Sequence, residues 1–262
     1  MPWNVHPNEI EALPRPVAAV ANDYPDGHVI ERHRHRRAQL VYAARGVMTV
    51  KADTGAWVVP PQRAVWMPAG MAHEVHCAGT LAMRSLFIEP AAAEGMGTAC
   101  RVVNVTPLLR ELILRAVDLP GLYAEDGPEG RLIGLILDEV RNLETAPLHL
   151  PLPRDARLAG ITRALLADPS DRRGLEDWAA ALGLSPRTLA RHFQREIGMG
   201  FAAWRQQARL LQAVARLAEG ESVSTLAYDL GYDSPSAFIA MFRRAFGVTP
   251  GRYLKRDDSP AA

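Results

Sequence analysis

Cysteine is nearly absent from this chain: Cys77 and Cys100 are the only two in 262 residues. They form no CxxC pair and no disulfide framework, which excludes a disulfide-stapled scaffold and fits a reducing cytosol. No apolar run approaches the roughly 18 residues that a bilayer span requires, so no membrane partner is expected. The start, Met-Pro-Trp-Asn-Val-His, lacks a basic region followed by an apolar run, so no secretory signal is expected either. No charge of one sign dominates, since the formal net charge is +1. Its distribution is uneven: 15 Lys and Arg face 10 Asp and Glu from Asp155 to Arg256, against 15 and 17 before Asp155. An acidic front and a basic back fit a sensing domain joined to one that faces phosphate.

What is present is enough for ordinary cores, with 48% hydrophobic residues, and a length that suits two domains. From Val17 to Glu89 short β-branched or apolar runs alternate with turn signals such as Pro25-Asp-Gly27, Asp53-Thr-Gly55 and Pro68-Ala-Gly70. This pattern predicts a sandwich or small barrel. After Thr106-Pro107, an N-cap followed by proline, Leu109, Leu112, Ile113 and Val117 recur at helical spacing. A second helix is expected from about 129 to 144, with a broad apolar stripe that suits a homodimer interface better than a helix with one neighbour. The reading is therefore a sensing domain over 1–100, a helical coupling segment over 101–146, a Pro-rich linker over 147–154 and an all-α domain over 155–256.

The all-α domain carries one pattern twice. Ala179, Leu182, Gly183, Ser185, Pro186, Phe193, Arg195 and Gly198 recur as Ala227, Leu230, Gly231, Ser234, Pro235, Phe242, Arg244 and Gly247. Each copy reads as a helix closed by glycine, then a serine N-cap with proline at the first position of a second helix. This is a helix-turn-helix, and two in tandem point to duplex DNA. In the first copy Leu189 and Phe193 should face the core, leaving Arg187, Ala190, Arg191 and Gln194 outward. Arg191 offers a bidentate fork to guanine. In the second copy Phe238 and Phe242 are the core pair, and Ser236, Ala237, Ala240 and Arg243 face out. With few long polar side chains there, base reading should rest on the first copy, and Arg243 or Arg244 should anchor phosphate. A long helix from Phe201 to Glu219 should hold the two readers rigidly.

The runs Leu182-Gly-Leu-Ser-Pro-Arg-Thr-Leu-Ala-Arg-His-Phe193 and Ala227 to Tyr253 resemble the DNA-binding domain of the AraC/XylS family of bacterial transcription regulators. The resemblance covers about 100 residues and implies promoter DNA as partner, RNA polymerase as a further partner of an activator, and work at the nucleoid in the bacterial cytosol. It puts DNA contacts at Arg187, Thr188, Ala190, Arg191 and Arg195 in the first copy, and at Ser234, Pro235, Ser236, Ala240 and Arg243 in the second.

The front domain has its own spacing. Gly27, His33, His35, Gln39 and Gly46 fit G-x5-H-x-H-x3-E-x6-G with glutamine in the glutamate position, and Pro68, Gly70 and His73 fit P-x-G-x2-H with Cys77 where asparagine is common. These blocks resemble the cupin barrel, giving a two-domain α+β chain: a cupin-like β-barrel with flanking helices, then the double helix-turn-helix. His33 and His35, two apart, should share one face of a strand, and a later strand should bring His73 beside them. Three imidazoles and the Gln39 carboxamide suit a divalent metal with an open position. A metal-free effector pocket formed by His33, His35, Gln39, Trp66 and His73 stays equally open, with a structural remnant as the third reading. Trp57 and Arg84 are further cavity candidates, while His76 and Arg34, Arg36 and Arg37 read as surface.

Two functions compete. The first is a sequence-specific transcription regulator, not an enzyme, controlled by a small effector or metal. The second is a metal-dependent cupin dioxygenase or isomerase with an appended DNA-binding domain. Gln39 and Cys77, at positions where the enzymes carry glutamate and asparagine, weigh against it.

Overall fold

The computed structural model describes residues 7–61, 63–146 and 148–253. The N-terminal reading of residues 1–6, Pro147 of the linker and residues 254–256 of the expected all-α domain lie outside these. The chain divides into two compact units, Met1–Ala52 with Trp57–His149 and Asp53–Ala56 with Leu150–Ala262.

The first unit opens with a short helix α1 (Pro7–Ala12) and continues as strands β1 (Val17–Tyr24), β2 (Val29–His33), β3 (Ala38–Ala52), β4 (Gly55–Val59), β5 (Arg63–Met67), β6 (His73–Ile88) and β7 (Arg101–Asn104). The two long strands organise it. β6 pairs antiparallel with β3 along one edge and with β1 and β2 along the other. β3 also pairs with β5, which pairs with β7. Strand β7 corrects the expected helical segment, whose first four residues belong to the sheet.

Gly46 lets β3 bend where its register against β6 shifts. Its φ is +77°, and a Cβ there would lie 2.6 Å from the Thr80 carbonyl oxygen. Only glycine meets both conditions without strain.

Helices α2 (Pro107–Ala116) and α3 (Pro128–Arg141) cover one face of the sheet. Thr106 caps α2 as expected, accepting from Leu109 N. Leu109, Ile113, Ile133, Ile136 and Val140 pack with Leu40, Tyr42, Trp66, Leu86 and Ile88 in one core. Most of the helical stripe is therefore used within the protomer; Leu108 and Leu135 remain exposed. Because strand side chains alternate, the residues between those core positions, Gln39, Ser85 and Phe87, face the other way.

After β8 (His149–Pro151) the second unit is helical: α4 (Ala156–Ala167), α5 (Leu175–Ala181), α6 (Pro186–Ile197), α7 (Phe201–Ala218), α8 (Val223–Asp229), α9 (Pro235–Phe246) and α10 (Pro250–Tyr253). Both copies of the repeat are built alike. Gly183 and Gly231, at φ +65° and +76°, end the first helices, and Gly198 and Gly247, at +81° and +76°, end the second. Ser185 and Ser234 accept from Thr188 N and Ala237 N, capping α6 and α9.

Candidate DNA-reading helices and effector cavity

In α6, Leu189 and Phe193 are fully buried, and Phe193 meets Phe201 and Trp204 edge-on at ring separations of 5.5 and 6.0 Å. That anchoring presents the opposite face: Arg187, Arg191, Gln194 and Arg195 are exposed, and Ala190 is half-buried. Arg191, Gln194 and Ala190 border an open hollow completed by Arg205 from α7 and by the start of α5. Thr188 is half-buried, with its hydroxyl 2.8 Å from the Ser185 hydroxyl at the exposed start of the helix.

In α9, Phe238 and Phe242 are fully buried, while Ser236, Ala237, Ala240, Arg243 and Arg244 are exposed. Ser234 and Pro235 are half-buried at the helix start. The two outward faces differ as the sequence predicts: three arginines and a glutamine along α6, small side chains and a C-terminal arginine pair on α9. Sequence reasoning missed Arg209 on α7. Its Nε donates to Pro169 O at 2.9 Å and its guanidinium lies 5.7 Å from the Tyr232 ring, tying the second turn to the long helix. A lone arginine in an amphipathic helix carries no signal of that role.

In the first unit a cavity of about 1040 Å³ opens on the sheet face away from α2 and α3. Its lining includes His33, His35, Gln39, Tyr24, Ser85 and Phe87. His73 sits in a small recess shared with His35 and Gln39. The three imidazoles converge: ring centroids lie 4.4 Å apart for His33 and His73, 4.8 Å for His33 and His35, and 5.8 Å for His35 and His73. One donor atom of each lies within 4.8 Å of the others. His73 opens β6 and pairs with His33, the last residue of β2. His35 is a correction, because the strand has ended and it reaches the cluster from the following turn.

Hydrogen bonds orient these rings. His33 Nδ1 lies 2.6 Å from Glu31 O and His73 Nδ1 3.0 Å from Met71 O. A carbonyl only accepts, so each Nδ1 donates to it, which leaves Nε2 as the ligand atom of a neutral ring. His35 Nδ1 lies 3.5 Å from Glu11 Oε1. Burial pushes His35 down to about 4, helped by His33. Burial also lowers His73 to about 4 against the raising effect of the Met71 bond. Both rings are therefore neutral donors at pH 7. Carbonyls that orient an imidazole in this way accompany metal-binding histidines, so the residues fit a divalent ion.

Two expectations fail here. Trp66 does not line the cavity: it is 2% exposed within the helix-covered core and donates to Gly97 O at 3.1 Å. The register explains this, since Trp66 pairs with Leu40 and Met67 with Gln39, and alternate pairs face opposite sides. Trp57, stacked 4.7 Å from His149, and Arg84, paired with Asp23 at 2.9 Å, are also absent from the cavity lining. Arg37 is not surface but 1% exposed, donating to the carbonyls of Leu13, Arg15 and Phe87 and pairing with Glu89. Arg34 and Arg36 are exposed and His76 is half-buried.

Comparisons with known proteins follow the same division. Residues 178–256 match the family described as Helix-turn-helix domain, and residues 16–133 match the AraC-like ligand binding domain. The HTH-type transcriptional regulator NimR of Escherichia coli is 37% identical over 224 residues, 86% of this chain and 82% of its own. The HTH-type transcriptional regulator RipA of Corynebacterium glutamicum is 36% identical over 104 residues, 40% of this chain and 31% of its own. The regulatory protein PocR of Salmonella typhimurium is 34% identical over 107 residues, 40% of this chain and 35% of its own. No helix among the described residues is long and apolar enough to cross a membrane. With both family domains present and a relative aligned along most of the chain, the protein belongs to the AraC-type helix-turn-helix transcription regulators.

Proposed function

We propose that this regulator reads promoter DNA chiefly through α6 and answers to a small effector held in the histidine-lined cavity. The observation that carries the reading is the inequality of two otherwise matching helices: Arg187 and Arg191 stand exposed on α6 where α9 presents Ser236 and Ala240. Arg191 reads a guanine edge, and Arg187 and Arg195 flank it. Arg243 and Arg244 hold phosphate, so that the second copy clamps while the first discriminates.

The cavity works by population shift: an effector that favours one arrangement of the regulator changes operator affinity by its differential affinity. His33, His35 and His73 would hold a divalent ion, which would supply a Lewis-acidic point beside the cavity. The protein acts as a homodimer in the cytosol, a reading supported by exposed Leu108 and Leu135 on α2 and α3. Where it activates, RNA polymerase is its further partner.

The test starts from an operator selected in vitro with the full chain. Arg191→Ala should weaken the specific site roughly 5- to 150-fold and erase preference at one base position. Ser236→Ala should change little. Unaltered specificity in Arg191→Ala would refute the assignment. His33→Ala with His73→Ala should abolish stoichiometric zinc binding while sparing operator binding; retained zinc would remove the ion from this cluster.

A further inference from the structure

The cavity face of the sheet is chemically uneven. Asn22 and Met83 pair across β1 and β6, Gln39 and Phe87 across β3 and β6, and Ser85 stands between Met83 and Phe87. Two polar atoms on this wall are withdrawn from water without a replacement. Gln39 Oε1 and Ser85 Oγ are buried and have no hydrogen-bond partner, in residues 5% and 1% exposed. A buried polar atom left in that state destabilises the fold until something satisfies it. A carboxamide oxygen accepts and never donates, so its partner must bring an N–H or O–H; a serine hydroxyl can serve either role.

The charges around the cavity say what that partner is not. The arginines of its lining, Arg32, Arg34 and Arg36, are exposed residues of β2 and the turn after it, and Arg36 is bound to Glu89 at 2.7 Å. Arg37, which shares a recess with Gln39, is engaged with Glu89 and with the carbonyls of Leu13, Arg15 and Phe87. A carboxylate brings no proton, so it cannot answer the acceptor-only oxygen of Gln39.

We propose that the effector reaches this wall with an uncharged O–H or N–H donor carried on an apolar body: the donor meets Gln39 Oε1 and Ser85 Oγ, and the body lies along Met83 and Phe87. Both residues line the cavity, so the proposal requires their side chains to rotate toward it when the ligand binds. The proposal rests on the cavity being the effector site, and it names the ligand class which that site selects.

Matched probes test it on the full-length protein. Indole is compared with 1-methylindole, and benzyl alcohol with benzyl methyl ether, by calorimetric titration at millimolar concentration; benzoate is the anionic arm. Each donor should bind about tenfold more tightly than its methylated congener. Gln39→Leu and Ser85→Ala should each shrink that ratio toward one. Gln39→Leu should also melt higher than wild type without ligand, because its orphaned acceptor is gone; a merely structural glutamine would melt lower when replaced. Equal affinity within both pairs, benzoate binding more tightly than either donor, or no binding by the donors overturns the proposal. So does loss of zinc affinity in Gln39→Leu, which would make the carboxamide an ion ligand. Operator binding measured alongside separates the two levels. Donors that bind yet leave operator affinity unchanged uphold the ligand class and refute the effector reading. Benzoate alone altering operator affinity does the reverse.

Discussion

Arg36 and Arg37 are neighbours that share Glu89, yet the same substitution should affect them very differently. The Arg36 side chain is 57% exposed, and its bonds to Glu89 and Glu11 compete with water. Surface pairs of this kind contribute little, so Arg36→Met should melt close to wild type. The Arg37 side chain has no exposure, pairs with Glu89 at 2.8 Å, and satisfies the carbonyls of Leu13, Arg15 and Phe87. Breaking a buried pair costs about 3–5 kcal/mol when a charge is stranded. Glu89 keeps Arg36, so the expected loss is lower, about 2–4 kcal/mol, most of it from carbonyls left without donors. For a unit of this size that lowers the melting temperature by roughly 5–15 °C. Hydrogen exchange should locate the damage in residues 10–16, which Arg37 ties to the sheet. If both variants lose the same stability, or Arg37→Met melts within about 2 °C of wild type, the buried-cation argument is wrong.

Three further outcomes are expected. Gly46→Ala combines a left-handed backbone with a contact 2.6 Å from Thr80 O and should cost about 2–4 kcal/mol, read from denaturant unfolding; a neutral result would show that β3 can shift register there. His35 and His73, at about 4 in the folded chain, lie below the 6.5 of an unfolded histidine, so the unfolded chain binds protons first. Their contribution is complete above pH 6.5 and is lost as pH falls toward 4. With allowance for screening in an open cavity, the pair accounts for roughly 2 kcal/mol between pH 7 and 5. In chelator-treated protein, His35→Asn with His73→Asn should flatten that dependence, and an unchanged slope would contradict it. Phe193→Ala removes the anchor behind the α6 reading face and should destabilise the helical unit by about 3–5 kcal/mol in calorimetry, against no effect if that face is held by α6 alone.

The legible parts of this protein were those written in neighbouring residues. Ser185-Pro186 and Ser234-Pro235 announce helix starts because a serine oxygen reaches an amide three residues on, and Gly183 and Gly231 announce stops because glycine alone accepts positive φ without cost. The contrast between Arg191 and Ala240 follows from helical periodicity once Phe193 and Phe242 mark the core side. The histidine spacing likewise anticipated a cluster, although its explanation was partly wrong, since His35 lies beyond the strand.

By itself, then, the sequence determined a two-part chain, a doubled helix-turn-helix, its armed and bare faces, and three histidines destined for one site. Only the tertiary structure decided which side of the sheet each residue occupies. Trp66 and Gln39 sit on adjacent registers of paired strands, and one residue of slip would exchange them. Arg37 looks like its neighbours Arg34 and Arg36 until the segment before β1 folds over it and offers two carbonyls, beside that of Phe87 in β6. Gln39 Oε1 and Ser85 Oγ become ligand-seeking atoms only because the assembled sheet leaves them buried and alone. Caps and periodicity act over a few residues and can be read from the chain, whereas register, burial and unmet hydrogen bonds arise from contacts between residues distant in it.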